Sequence, residues 1–345
     1  MTKTRRLIVL LLVAGLLGYL YLEREMSSVH TPVSPGTPVE IPAGLSARSV
    51  LKVLSEQNLI ANEKLTLVYV VLTGNRKSLR AGEYLFDQPV STRDVIRKLV
   101  SGEIYLHRLT VPEGLTVAEV ASKWEEQGFG TAQEFLEAVR DSADLVQDFE
   151  GEKSGETSLE GYLFPETYSF PLRTTPRQAI EAMVGRFRAV LAELNKDLPS
   201  EMWPLSVRDT IILASLVEAE AAHDEERPLV ASVYINRLRR RILLQCDPTV
   251  IYALEKSNKY KGQLTRADLK FDSRYNTYRY PGLPPGPIAN PGMRALAAAT
   301  RPASSPYLYF VRTLDGRHTF SETLAAHNRA VAAYRAQQKR QRATN

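Results

Sequence analysis

Apolar and polar positions follow one pattern up to Glu23 and another after it. From Leu7 to Leu22, "LIVLLLVAGLLGYLYL", sixteen residues pass without a charge. A membrane-crossing helix needs about 20 mainly apolar residues, so the run is slightly short, but Tyr19 and Tyr21 suit the lipid–water interface. Lys3, Arg5 and Arg6 precede it. A cleaved signal peptide shares that layout, yet "YLYLERE" lacks a small-x-small cleavage pattern, so residues 1–26 are expected to be a cytoplasmic tail and uncleaved anchor. The positive-inside rule then puts the chain after Glu23 on the extracytoplasmic or periplasmic side of the inner membrane. Residues 27–40, "SSVHTPVSPGTPVE", show no apolar period and predict an extended linker.

From Ile41 the chain repeats itself at an offset of seventy. "IPAGLSARSVLKVLSEQNLI" (41–60) and "VPEGLTVAEVASKWEEQGFG" (111–130) agree at six of twenty positions. Each predicts a short strand, a Pro-x-Gly turn, an N-cap at Ser46 or Thr116, and a helix. Residues 81–103 add another strand and capped helix, which makes 41–130 a small α+β module. Its strand-helix units resemble LysM-type carbohydrate-binding modules; a spacer without a ligand is the alternative. Beyond it, "TAQEFLEAVRD" and "PRQAIEAMVGRFRAVLAELNKDL" have spacing near 3.6 and predict helices, with the aromatic "LEGYLFPETYSF" (159–170) between them as a packing turn. "SVRDTIILASLVEAEAAH", opened by Ser206 and Asp209 as a capping box, predicts a helix over about 207–222. "RPLVASVYINRLRRRI" predicts another, with Pro228 in its first turn. A loop-rich stretch (275–292), a strand in "YLYFVRT" and a last helix after "HTFSETLAAHNRAV" complete a second, mixed domain over 131–335, with a basic tail at 336–345.

Composition is that of a globular protein, 44% hydrophobic and 24% charged over 345 residues. The formal charge of +5 loses its meaning once located, since Lys3, Arg5, Arg6, Lys339, Arg340 and Arg342 outweigh the whole excess. Nucleic acid is therefore not an expected partner. His223, His318 and His327 have no metal-ligand spacing and Cys246 is the single cysteine, so neither a metal site nor a cofactor is expected. Nucleotide and serine-hydrolase motifs are absent.

The chemistry-bearing feature is a pair of glutamates in the apolar helix. Glu218 and Glu220 are two residues apart, about 200° around a helix, and cannot act as one local pair. At helical spacing Glu218 is flanked by Ile211, Ala214, Ser215, Ala221 and Ala222, an arrangement that would form a groove. A carboxyl desolvated there would hold its proton toward neutral pH, as a general acid requires. The alternative is a buried glutamate paired with Arg237 or Arg239. Glu220, near the polar "HDEE", suggests a paired or solvent-facing structural residue. Downstream, Asn236, Gln245, Asp247, Thr249, Tyr252, Asn276, Tyr278 and Asn290 are side chains of the kinds that bind sugars, and equally of the kinds that build turns.

"ASLVEAEA", "RPLVASVYINRL", "LLQCDPTVIYAL", "YNTYRYPGLPPGPIANPG" and "YLYFV…HTFSETLAAHN" together resemble the endolytic murein transglycosylases of the MltG, or YceG-like, family. "VPEGLT" and "LEGYLFPETY" extend the likeness to about 41–335. Two small departures are Ala219, where a lysine is expected, and Cys246, where a small hydroxylated residue is usual. The resemblance implies an α+β protein with a transmembrane helix, a LysM-like module and a catalytic domain. It would cut peptidoglycan strands internally, leaving 1,6-anhydro-MurNAc ends and limiting strand elongation; a non-catalytic scaffold is the alternative. By motif the catalytic residue is Glu218. Asn236, Gln245, Asp247, Thr249, Asn276 and Tyr278 are the expected substrate contacts, with peptidoglycan synthases as partners.

Overall fold

The computed structural model describes residues 3–150 and 158–344. The chain divides into two compact units, Met1–His107 with Ser169–Leu172, and Arg108–Tyr168 with Arg173–Asn345. The division falls at residue 107 rather than near 130, so the second copy of the repeat belongs with the downstream domain. The cause is packing: the helix of that copy turns its apolar side to the next helix of the second unit.

The first unit begins with α1 (Lys3–Met26), 24 residues and about 36 Å at 1.5 Å per residue. It is long and apolar enough to cross a membrane, and its apolar window is not buried by protein. Helix continues past the sixteen uncharged residues at both ends, into the charged flanks Lys3–Arg6 and Glu23–Glu25. Two antiparallel ribbons follow: β1 (Val29–His30) pairs with β4 (Val90–Ser91), and β2 (Val39–Ile41) with β3 (Gly82–Tyr84), Val39 opposite Tyr84. Helices α2 (Ala47–Glu56), α3 (Glu63–Leu72) and α4 (Thr92–Ser101) close over them. Ile41, Leu51, Leu54, Val70, Tyr84 and Ile96 form the shared core.

Strands β5 (His107–Thr110) and β6 (Thr167–Phe170) form a ribbon, where the "TYSF" segment is strand rather than turn. Helices α5 (Val117–Glu126), α6 (Ala132–Asp141), the single turn α7 (Gln147–Glu150) and α8 (Pro176–Asp197) precede α9 (Val207–Glu220). After it come α10 (Arg227–Arg239), α11 (Asp247–Lys256), α12 (Met293–Thr300), the hairpin of β7 (Tyr309–Arg312) and β8 (His318–Ser321), and α13 (Leu324–Thr344). The last helix runs through the expected basic tail. The two repeat copies are built alike: Gly44 and Gly114 take φ of +81° and +83°, and ten-residue helices follow, capped by Ser46 and Thr116. A side chain in either turn would meet the left-handed penalty that glycine avoids.

Helix α9 is the axis of the second unit. Every residue from Thr210 to Val217 is buried, so the helix shows no amphipathic stripe and must be enclosed on all sides. Ser206 Oγ accepts the Asp209 amide at 3.1 Å, the one half of the expected capping box that forms. Helices α10, α11 and α12 pack on it. Asn290 ties the loops beside it: its Oδ1 accepts the Gly161 and Leu163 amides at 3.0 and 2.9 Å, and its Nδ2 donates to the Leu115 carbonyl at 2.8 Å.

Candidate active site

The two glutamates leave α9 in different directions and share no partner. The Glu218 face of α9 is lined by a downstream segment. The 288–292 segment lies along that face, with the Ile288 amide donating to Ser215 Oγ at 3.1 Å and the Gly292 amide to Glu218 Oε2 at 2.9 Å. Glu218 Oε1 accepts from Arg227 Nη1, also at 2.9 Å, and the two side chains are 6% and 7% exposed. Asp224 sits 3.1 Å from Arg227 Nε and Glu113 3.8 Å from its Nη2. Glu218 is thus a buried, ion-paired residue, but its partner is Arg227, not Arg237 or Arg239. Burial, with the negative charge of Glu218, pushes the Glu113 carboxyl up, against the pull of Arg227 and Arg294. Gly292 lets the Glu113 carboxyl pack directly on it; a Cβ there would displace that flexible side chain.

Glu220, the last residue of α9, opens instead onto a polar cleft of about 450 Å³. Its wall includes Ala219, Arg237, Gln245, Asp247, Tyr278 and Arg312, with His318 and His327 further round. Tyr234 donates its hydroxyl to Glu220 Oε1 at 3.2 Å. Burial pushes the carboxyl up to about 7; the Asp247 charge adds to the rise, while bonds from Cys246 and Tyr234 and the charge of Arg312 oppose it. Of the two glutamates, Glu220 is the one that lines this cleft. The Cys246 thiol is buried and held far above its ordinary range by that burial and by Glu220. It serves as a bonding partner to the acid, not as a nucleophile.

Three of the six expected substrate contacts line this cleft. Tyr278 donates to Asp247 Oδ1 at 2.5 Å, and Gln245, with φ of +52°, holds its side chain at the rim near Arg237. The other three are spent inside the protein. Asn236 Nδ2 donates to the Ser305 and Tyr307 carbonyls at 2.8 and 2.9 Å. Thr249 is fully buried between the Cys246 carbonyl and Thr277. Asn276, also fully buried, donates to the Leu269 and Phe271 carbonyls and accepts the Tyr278 amide. Asn276 and Thr249 thus shape the loops that present Tyr278 and Asp247. Tyr252 donates to Glu160 at 3.2 Å, away from the cleft lining.

Sequence reasoning missed several participants. Arg237 crosses from α10 to bond the Leu243, Leu244 and Leu308 carbonyls. Glu226 accepts both the His318 amide at 3.0 Å and its Nδ1 at 2.8 Å, which orients a histidine on the cleft wall. The Arg237–Leu308 and Glu226–His318 pairs join residues about 70 to 90 positions apart, so local spacing carried no signal for them. Glu113 in "VPEGLT", Glu218 in "ASLVEAEA" and Arg227 in "RPLVASVYINRL" all stand in quoted motifs, but nothing in their spacing joined them.

The profile of the YceG-like family matches residues 39–333. The chain belongs to that family. Among YceG-like relatives, a Bacillus subtilis protein named endolytic murein transglycosylase is 32% identical over 329 residues, spanning 92% of this chain and 90% of its own length. A Streptococcus pneumoniae protein of the same name is 30% identical over 350 residues, covering 94% of this chain and 63% of its own length. The crystal structure of a YceG-like protein from Listeria monocytogenes aligns with a TM-score of 0.58 at 32% identity, over 85% of this chain and 98% of that one.

Proposed function

We propose that this YceG-like protein is an endolytic lytic transglycosylase of peptidoglycan and that Glu220 is its acid–base residue. The relatives' shared name supports the activity. The observation that carries the residue assignment is the position of Glu220, whose carboxyl is held up to about 7 on the wall of the polar cleft, while both oxygens of Glu218 are committed to Arg227 and Gly292. A general acid must reach the leaving group, and of the two carboxyls Glu220 lines the cleft while Glu218 is held by a guanidinium.

The reaction asks for one carboxyl. Protonated Glu220 donates to the glycosidic oxygen between MurNAc and GlcNAc as the bond from that oxygen to C1 breaks. The resulting carboxylate takes the proton of the C6 hydroxyl of the same MurNAc, whose oxygen closes onto C1. A 1,6-anhydro-MurNAc end results, Glu220 is reprotonated, and no water is consumed. Ordinary glycosidases place a second carboxyl about 5 to 9.5 Å from the first; here Asp247, bonded by Tyr278, offers negative charge to the oxocarbenium-like sugar. Glu218 in this scheme is a positioning residue that fixes the 288–292 segment against α9.

The finer parts of the proposal are a LysM-like glycan-binding role for the first unit, an α1 anchor with both units on the extracytoplasmic side, and peptidoglycan synthases as partners. Mass spectrometry of digested peptidoglycan tests the activity: anhydro ends support it, reducing ends indicate a hydrolase, and no cleavage indicates a scaffold. Loss of anhydro ends in Glu220→Gln, with their persistence in a folded Glu218→Gln protein, supports the assignment; the reverse overturns it.

A further inference from the structure

Helix α3 carries an apolar face that nothing in the first unit covers. Val68, Val71 and Leu72 are 48%, 50% and 72% exposed. At spacings of three and four they share one side of the helix. The opposite side, with Thr66 and Val70, is fully buried. Three large apolar residues on one exposed helical face are more than the scattered exposure usual at a surface. Lys64 lies one turn before this face, and the exposed Arg76 and Lys77 follow it in the short turn packed on the helix end.

The depth of this face follows from α1. Helix α3 packs against α1, and so does α4. Arg93 of α4 is paired with Glu23 of α1 and stands 5.8 Å over the Tyr69 ring of α3. Tyr19 of α1 is close enough to act on the Arg93 charge. Tyr69 is thereby tied to the level of Tyr19 and Glu23, where the apolar run gives way to charge. Val68, Val71 and Leu72 flank Tyr69 in sequence, so the uncovered face stands where an α1 that spans a bilayer would leave it.

We propose that the Val68–Leu72 face of α3 is a membrane-surface contact, seated in the lipid headgroup and upper acyl region beside the emerging span, with Lys64, Arg76 and Lys77 at the phosphate level. An apolar face bordered by basic side chains is the build of an interfacial helix, which sinks about 5–10 Å into the boundary. With α1 packed on α3 and α4, the contact adds a second point of attachment that sets the tilt of the first unit on the bilayer. The inference rests on α1 spanning the membrane and is independent of the residue that performs catalysis.

The test uses the full chain in lipid vesicles. Leu72→Cys and, separately, Leu17→Cys are labelled with an environment-sensitive fluorophore, since the native Cys246 is buried. Both positions are exposed, at 72% and 61%, so neither change disturbs packing. Quenching by lipids spin-labelled near the headgroup is compared with quenching by lipids labelled deep in the chain. The expected result is a blue shift and loss of emission at Leu72 with the shallow label but not the deep one, and quenching at Leu17 with the deep label. Quenching at Leu17 with none at Leu72 overturns the proposal, leaves the span intact and points to a protein partner or water on that face. No quenching at either position overturns both.

Discussion

Replacing Glu218 with Gln keeps the shape of the side chain and removes its charge, which separates anchoring from acid catalysis. The wild-type carboxylate is 6% exposed and satisfies a 7% exposed guanidinium and the Gly292 amide. Breaking a buried ion pair by removing one partner typically costs about 3–5 kcal/mol. Two features reduce that here: Asp224 and Glu113 remain near Arg227, and the Gln oxygen can still accept one of the two bonds. A cost of about 2–4 kcal/mol follows for Glu218→Gln, which in a domain of this size lowers the melting temperature by about 5–15 °C. Glu220→Gln removes a carboxyl that burial already disfavours in its charged form, so stability at pH 8 should be unchanged or raised. Its activity should fall by about 10²–10⁴-fold, the usual loss on removing a general acid–base. Intrinsic fluorescence during heating reads stability through Trp124 and Trp203, both buried in the second unit. Release of anhydro-MurNAc ends reads activity below the melting transition. A Glu218→Gln protein that melts with the wild type yet makes no product, alongside an active Glu220→Gln protein, would refute the division of roles.

Other outcomes can be checked independently. Because Glu220 must be protonated and its pKa lies up to about 7, kcat/KM should decline as pH rises through that value, and this limb should be missing from the residual activity of Glu220→Gln. Glu160 is buried, accepts from the Val117 amide and Tyr252, and is pushed up to about 8, mainly by desolvation. Its folded pKa lies above the unfolded value of 4.5, so its contribution is fully present below about 4.5 and lost as pH rises toward 8; Glu160→Gln should flatten the decline in melting temperature between pH 5 and pH 8.5. Asn276→Ala should destabilise instead of acting as a mild loop change, since it strands two carbonyls and the Tyr278 amide at about 1–3 kcal/mol for each buried group left unpaired. A melting temperature equal to wild type would show that the loop relaxes or that water replaces the amide.

Local information was enough for much of the fold. The apolar run announced α1, Ser46 and Thr116 announced the paired helices of the repeat, and continuous apolar residues announced an enclosed α9. The opposite directions of Glu218 and Glu220 were also legible, because helical rotation depends on spacing alone. Family motifs pointed to the second unit as the catalytic one. What spacing could not say was which direction faced solvent. Glu218 stood in an apolar run with no visible partner; the 288–292 segment, about seventy residues downstream, brings it the Gly292 amide, and Arg227 brings it an ion pair. No local spacing showed that Gln245, Asp247, Tyr278 and the β7–β8 hairpin would line a cleft beside Glu220. Asn276 and Thr249 had the chemistry of ligand contacts, but buried carbonyls and hydroxyls claimed it first. A sequence determines which groups a helix carries and at what angle; whether a carboxyl is ion-paired or kept protonated depends on which distant segments desolvate it and which donors they bring, and only the tertiary structure decided that.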